Sequence, residues 1–147
     1  FEKYKVLSAR ELHARYEIFL EQYVKSINVE KNLVLQISKT QILPAAIRFQ
    51  TELATNVSAL KAAGVAADSS LLTKVSGLVS DLSASIAALE KAAAHHGAAS
   101  LFEEAKYFRD ALLPAQLKVR EVADALEGVV ADDIWPLPTY QEMLFIK

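Results

Sequence analysis

Cysteine is absent from this 147-residue sequence, and glycine and proline are scarce, with four of each. The lack of cysteine excludes disulfide-stapled folds, zinc fingers, thiol nucleophiles and iron–sulfur clusters. The four glycines are too far apart to form a glycine-rich loop, and the motifs GxxxxGK[ST], GxGxxG and GxSxG do not occur. Composition therefore removes several classes of enzyme without identifying a function.

Charge of one sign and long apolar runs are also lacking. Sixteen Lys and Arg against eighteen Asp and Glu leave a net charge of −2, whereas nucleic-acid binders usually carry a basic stripe. No run of eighteen uncharged apolar residues occurs, and no basic segment precedes an apolar stretch, so the sequence predicts neither a membrane span nor a signal peptide. We expect a cytoplasmic protein that binds neither nucleic acid nor membrane.

The residues that are abundant favour an all-α fold. Alanine is frequent, the residues that interrupt helices are few, and β-branched residues never alternate with polar ones for long. Capping-box patterns, Ser8 with Glu11 and Ser100 with Glu103, mark two helix starts. The length fits a single domain, residues 1–147. The predicted helices span 9–27, 29–63, 70–96 and 101–133, and a tail covers 134–147.

Apolar residues recur mostly at steps of three and four, which places them on one face of each helix. The fourth helix keeps this rhythm without a miss and is the strongest periodic signal. The predicted faces are Leu12, Tyr16, Phe19, Tyr23 and Ile27; then Leu33, Ile37, Ile42, Ala46, Phe49, Leu53 and Leu60; then Leu71, Val75, Leu78, Leu82, Ser85, Leu89 and Ala92; and finally Leu101, Ala105, Phe108, Leu112, Ala115, Val119, Val122, Leu126 and Val129.

The two prolines inside these patterns, Pro44 and Pro114, lack the amide hydrogen that an α-helix needs, and they predict kinks. A polar stretch at 26–28 predicts a bend or short break, and Gly64 is a natural helix terminator. Short connections favour antiparallel neighbours. The expected architecture is an antiparallel three- to four-helix bundle with long, proline-kinked helices and an extended C-terminal tail.

Histidines offer little chemistry in this sequence. His13 and Glu17 are four residues apart and share a helix face, but such pairs are common on solvated helices. His95 and His96 are adjacent, so they point about 100° apart on a helix and are poorly placed to chelate one ion. Their position near a helix end suits the helix dipole. A histidine phosphotransfer module, in which the histidine lies mid-helix, is the weaker alternative.

Carboxylates are no more specific. The pair at 103–104 occupies a first helical turn, where the dipole favours negative charge. The pair at 132–133 is expected at a helix C-terminus, where acids are mildly unfavourable, so a contact outside the segment is an open alternative. The sequence predicts no catalytic, cofactor-binding or metal-binding residue.

The tail is the most unusual feature, because it is apolar yet contains prolines that prevent a continuous helix. It either folds back onto the bundle or docks on another domain or subunit. The apolar end and the start at Phe1 rather than Met indicate a piece of a longer polypeptide. The candidate contact residues are Trp135, Tyr140, Met143, Leu144, Phe145 and Ile146.

Several separated strings, in order along the chain, resemble the C-terminal helical region of type III glutamine synthetases. These strings are FEKYKVLS at 1–8, ELH at 11–13, RYEI at 15–18, INVE at 27–30, KTQILPA at 39–45 and WPLPTYQEMLFIK at 135–147. The alanine-rich middle, about 55–100, is similar to any helical hairpin.

The resemblance implies a parent enzyme that joins ammonia to glutamate with ATP and Mg²⁺, in a ring-shaped homo-oligomer. It implies no catalytic residue here, because the family's metal, nucleotide and substrate sites belong to an upstream catalytic domain. The expected role is a non-catalytic appendage that packs on that catalytic core or on neighbouring subunits. The alternative is a free-standing helical interaction or phosphotransfer module, and the gene upstream of Phe1 distinguishes the two.

Overall fold

A computed structural model describes residues 1–94, 99–138 and 140–145, and every regular element in those ranges is helical, which confirms the all-α class. A short 3-10 turn at Glu2–Tyr4 precedes the first long helix. The α-helices are α1 (Ala9–Ile37), α2 (Leu43–Ala62), α3 (Ser70–Ala93), α4 (Leu101–Tyr107), α5 (Leu113–Glu127) and the short α6 (Tyr140–Leu144).

Capping side chains fix the helix starts that the sequence predicts. The Glu11 amide donates to Ser8 Oγ at 3.3 Å, and the Ser8 amide donates to Glu11 Oε2 at 2.8 Å, so the first capping box is complete. At the start of α4, the Glu103 amide donates to Ser100 Oγ at 3.2 Å. Gly64 follows α2 with φ of 75°, the left-handed conformation expected of a helix-terminating glycine.

Helix α1 does not break at 26–28, so the predicted division between 9–27 and 29–63 is wrong. It continues through Ile37, with Ile27 buried and the Asn28 side chain accepting a hydrogen bond from Lys31 Nζ at 2.8 Å. Helix propensity is a weak preference, and burial of an apolar residue in the middle of the polar stretch overrides it.

Both helix-interior prolines follow a π-helical turn rather than a gap in the helix. The first π-turn is Ser38–Ile42, in which the Leu43 amide donates to the Ser38 carbonyl five residues back. The second is Phe108–Leu112, where the Leu113 amide donates to the Phe108 carbonyl. Because proline cannot donate to the carbonyl four residues earlier and its ring crowds that carbonyl, the wider turn relieves both problems.

The core is formed by residues of helices α1 to α5, with α3 packed on α5 and α2, and α1 packed on α4. Polar contacts between the described parts of the helices include Tyr107 Oη, which donates to the Ala92 carbonyl at 2.9 Å, Gln50 Nε2, which donates to Ser76 Oγ at 2.8 Å, and the ion pair of Lys39 with Glu90 at 2.5 Å. Besides Ser38, the largest fully buried side chains are the apolar residues Val75, Leu82, Leu89, Leu112, Val119 and Leu126. All six are on the predicted apolar faces.

Among the described residues, α3 is the one helix long and apolar enough, by length and composition, to pass as a membrane span. In the structure, α3 instead packs between α2 and α5. Val75, Leu82 and Leu89 are fully enclosed, and Lys74 and Asp81 interrupt the apolar sequence. We therefore interpret α3 as a core helix.

The fourth predicted helix, 101–133, ends earlier than expected. Helix α5 stops at Glu127, and the amides of Val129 and Val130 both donate to the Leu126 carbonyl in a closing turn. Gly128 supplies no side chain to continue the packing, and glycine is unfavourable inside helices. Asp132 and Asp133 are therefore exposed in a turn beyond the helix and not at its C-terminus.

Candidate functional site

Titratable groups do not converge in the part of the chain that the structure describes: no three His, Asp or Glu side chains there are placed to hold a metal ion. His13 Nδ1 and Glu17 Oε1 are 3.8 Å apart on an exposed surface of α1. Glu103 is exposed in the first turn of α4. His95 and His96, the candidates for phosphotransfer, lie outside the described residues.

The first half of the tail folds back onto the bundle. Ile134, Trp135 and Leu137 are partly buried against the core. The amides of Ile134 and Trp135 both donate to the Ala131 carbonyl at 3.0 Å, which turns the chain directly after the acidic pair. The Trp135 indole Nε1 is buried and has no hydrogen-bond partner among the described atoms. Trp135 thus contributes to this domain's own packing.

The second half of the tail is exposed. Met143, Leu144 and Phe145 expose 54%, 77% and 70% of their surface. Tyr140 begins α6, but its side chain, like the whole of Ile146, lies outside the described part of the structure. The six candidate contact residues therefore divide at the prolines, with Trp135 on the core and three large apolar side chains in solvent.

An exposed apolar surface lies on α1, along the first part of the apolar face that the sequence predicted. Residues 9–19, here called the N-terminal arm, include no buried or half-buried residue and extend about 16 Å. Leu12, Tyr16 and Phe19 line one side of this arm, and Phe19 exposes 66% of its surface. The predicted apolar face is therefore buried at Ile27 and exposed along the arm.

An apolar groove of about 330 Å³ continues this surface between α1 and α4. Leu20, Tyr23, Phe102 and Ala105 form its apolar walls. The remaining lining residues are Lys106 and Arg109. Arg109 Nε lies 2.6 Å from Asp110 Oδ1, and this hydrogen bond holds the pKa of the Asp110 carboxyl below its ordinary value. The groove therefore has mostly apolar walls, and at its rim the charge of Arg109 is balanced by Asp110.

A second, smaller cavity of about 100 Å³ lies at the junction of α1, α3 and α4. Asn28, Lys31 and Glu104 supply its polar groups, beside Phe108 and Leu112. Lys31 is already hydrogen-bonded to Asn28 within it. Its volume suits a few water molecules and not a nucleotide.

Comparison with known proteins places this arrangement in a family. Residues 1–61 match the glutamine synthetase C-terminal domain. The whole chain is 30% identical, over 156 residues, to the type-3 glutamine synthetase of Dictyostelium discoideum. Over 97% of its length it is 28% identical to a glutamine synthetase of Bacteroides fragilis, and over 99% it is 25% identical to that of Butyrivibrio fibrisolvens.

The chain spans 21% of the length of each of these curated relatives. The matched stretch 1–61 contains the N-terminal arm, the rest of α1, the first π-turn and nearly all of α2. These findings agree with the strings on which the sequence resemblance was based. The chain belongs to the glutamine synthetase family, as a C-terminal helical domain of the type III class.

Proposed function

We propose that this chain is the non-catalytic C-terminal domain of a cytoplasmic type III glutamine synthetase, an enzyme that ligates ammonia to glutamate with ATP. One observation carries this proposal: the entire chain aligns with a fifth of the length of such enzymes. The alignment favours an appendage over a free-standing interaction or phosphotransfer module, because it leaves four fifths of each relative to supply the chemistry.

The described residues offer no carboxylate cluster of the kind that holds Mg²⁺. Mg²⁺ is bound by clustered carboxylates together with substrate phosphates, and no such cluster is present in the described ranges. The proposal therefore assigns ATP, Mg²⁺ and the reaction to an upstream catalytic domain.

The proposed role of the domain is to pack on that catalytic core and to help assemble neighbouring subunits into a homo-oligomer. Met143, Leu144 and Phe145 support this role, since three adjacent large apolar side chains rarely remain in water. Tyr140 and Ile146 complete the proposed contact.

We also propose that the helices run antiparallel and bend at the two prolines. The short connection between α2 and α3, residues 63–69, supports antiparallel packing. The π-turn before each proline supports a bend, because such turns interrupt the regular α-helical hydrogen-bond ladder.

The experiment uses the full-length polypeptide encoded by the gene. Glutamine formation from glutamate, ammonia and ATP is measured together with particle mass by light scattering. A triple variant, Met143→Ser, Leu144→Ser and Phe145→Ser, is expected to reduce the particle mass. The matched control, Val29→Ser with Val65→Ser, replaces exposed apolar residues elsewhere and is expected to leave the mass unchanged.

The two parts of the proposal fail separately. A full-length polypeptide that forms no glutamine contradicts the assignment to a glutamine synthetase. A tail variant with the particle mass and activity of the unmodified enzyme contradicts the assembly role and leaves the assignment intact.

A further inference from the structure

We infer that the N-terminal arm of α1, together with the groove between α1 and α4, is the surface on which the preceding catalytic domain of the same polypeptide docks. This inference rests on the proposed function, and it identifies a contact surface other than the tail. Leu12, Tyr16 and Phe19 form its exposed stripe, which ends at the groove wall formed by Tyr23 and Phe102.

The exposed stripe requires an explanation because it costs free energy in water. Burial of apolar surface is worth about 25 cal/mol per Å², and the arm buries none of its residues within the described structure. An isolated helix of about three turns is also marginal in water, since most helical stability comes from tertiary packing. A complete capping box nevertheless fixes the start of the arm at Ser8. The arm is therefore a helical segment with a defined start that lacks a packing partner among the described residues.

The relatives indicate what that neighbour is. They are about five times longer than this chain, and residues 1–61, which match the C-terminal domain of the family, include the entire arm. The part of the polypeptide before residue 1 joins the arm through residues 1–8, which reach at most about 28 Å. Within that linker, Phe1, Tyr4 and Val6 are themselves exposed.

Tethering favours this neighbour over a second copy of the chain. A domain joined through so short a linker has an effective concentration on the order of millimolar at the arm. The groove extends the apolar surface of the arm, with Lys106 and the Arg109–Asp110 ion pair at its edge. The groove and the apolar stripe lie on consecutive parts of one surface, so a single partner covers both.

The first test measures whether the arm is covered in the full-length polypeptide. Because residues 1–147 contain no cysteine, Phe19→Cys and the control Leu117→Cys each add one thiol to this region, and maleimide modification of each is followed by peptide mass spectrometry. Both native side chains are exposed, so neither replacement disturbs the core. We expect Cys at position 19 to react about tenfold more slowly than Cys at 117, or slower still. Equal rates overturn the inference.

The second test identifies what covers the arm. A photo-crosslinking phenylalanine analogue replaces Phe19 in the full-length polypeptide, and the products are separated by denaturing electrophoresis and sequenced. A product of monomer mass that joins position 19 to a peptide preceding residue 1 supports the inference. A product of doubled mass, or one joined to residues 1–147, overturns it. Neither readout requires turnover, so a failure of the docking surface is distinguishable from a failure to form glutamine.

Discussion

The N-terminal arm and the α4–α5 pair carry the same sequence pattern and have opposite surroundings. In both, apolar residues follow steps of three and four. In α4–α5, the residues of that pattern are buried or half-buried, and Leu126 is fully enclosed. In the arm, Leu12, Tyr16 and Phe19 remain exposed.

The difference shows what hydrophobic periodicity reports. It identifies the apolar face of a helix, but the elements alongside decide whether that face is buried. Helix α3 lies along α5 over much of its length, whereas the contact between α1 and α4 begins at the level of Leu20 and Tyr23, beyond the arm. An exposed apolar stripe on a helix therefore indicates a surface that a partner covers.

The largest expected effect comes from truncating equivalent leucines in the two regions. Leu126→Ala removes a fully buried side chain and should lower the free energy of unfolding by about 2–5 kcal/mol. Leu12→Ala should change it by only about 0.5 kcal/mol, because Leu12 already exposes 46% of its surface. Chemical denaturation of the 147-residue chain measures both values. Similar losses for the two variants would mean that the arm is packed after all.

The tail repeats the comparison on a smaller scale. Trp135→Ala should cost about 2–3 kcal/mol, less than a fully buried aromatic residue, because Trp135 is only partly buried against the core. Phe145→Ala should leave the stability of the 147-residue chain unchanged, and Phe145 matters only where a second surface covers it. Thermal unfolding followed by circular dichroism compares them. A destabilising Phe145→Ala would place that side chain in this domain's own core.

The two helix caps allow the exposed arm and the packed helix α4 to be compared through a single hydrogen bond in each. Ser8→Ala and Ser100→Ala each remove a capping acceptor worth about 1 kcal/mol. At Ser100 the loss should appear in global unfolding, because α4 is packed against α1. At Ser8 it should appear as local fraying of the arm, seen as faster amide hydrogen exchange in the first turn of α1 with unchanged global stability.

The cap at Ser8 also predicts a dependence on pH. The Ser8 amide and hydroxyl both donate to the Glu11 carboxylate, and these bonds hold the pKa of Glu11 below its ordinary value. Since the folded pKa is the lower one, the capping contribution is complete above about 4.3, the ordinary pKa of glutamate, and is lost as the pH falls through the lowered pKa. Ser8→Ala removes the hydroxyl donor and keeps the amide donor, so a carboxyl titration by NMR should show a partial rise of the Glu11 midpoint. An unchanged midpoint would contradict a contribution of the Ser8 hydroxyl.

The smallest expected effect concerns the ion pair between Lys39 and Glu90, which links the first π-turn to α3. Both side chains are about half exposed, so the coupling free energy should be below about 1 kcal/mol and should weaken in salt. A double-mutant cycle with Lys39→Met and Glu90→Gln measures it. A larger coupling would indicate that the π-turn depends on this contact.

The sequence could predict the fold class and the buried face of α4–α5, because many residues contribute to each pattern. It could also predict both caps and the end of α2, because Ser8, Ser100 and Gly64 act through local chemistry. The same local reasoning failed at 26–28, where the burial of Ile27 outweighs the polar neighbours.

The candidate surfaces were less predictable. The tail was identified as unusual, but its division into a packed and an exposed half depends on which core positions Trp135 reaches. The arm was missed because exposure depends on where α4 begins in space, which no local pattern encodes. The prolines predicted that the helical hydrogen-bond pattern is interrupted, but they did not predict that each interruption is a π-turn. One signal for the first π-turn was present, the five-residue step between Ile37 and Ile42.

Each π-turn also affects how this domain tolerates deletions. A π-turn closes its hydrogen bond over one residue more than an α-turn. Removing one residue from Phe108–Leu112 would return that turn to α geometry with both flanking helices still facing the core. Removing one residue from the middle of α5 would instead rotate everything after it by about 100°. The two π-turns are thus the places where the long helices can lose a residue without losing their packing.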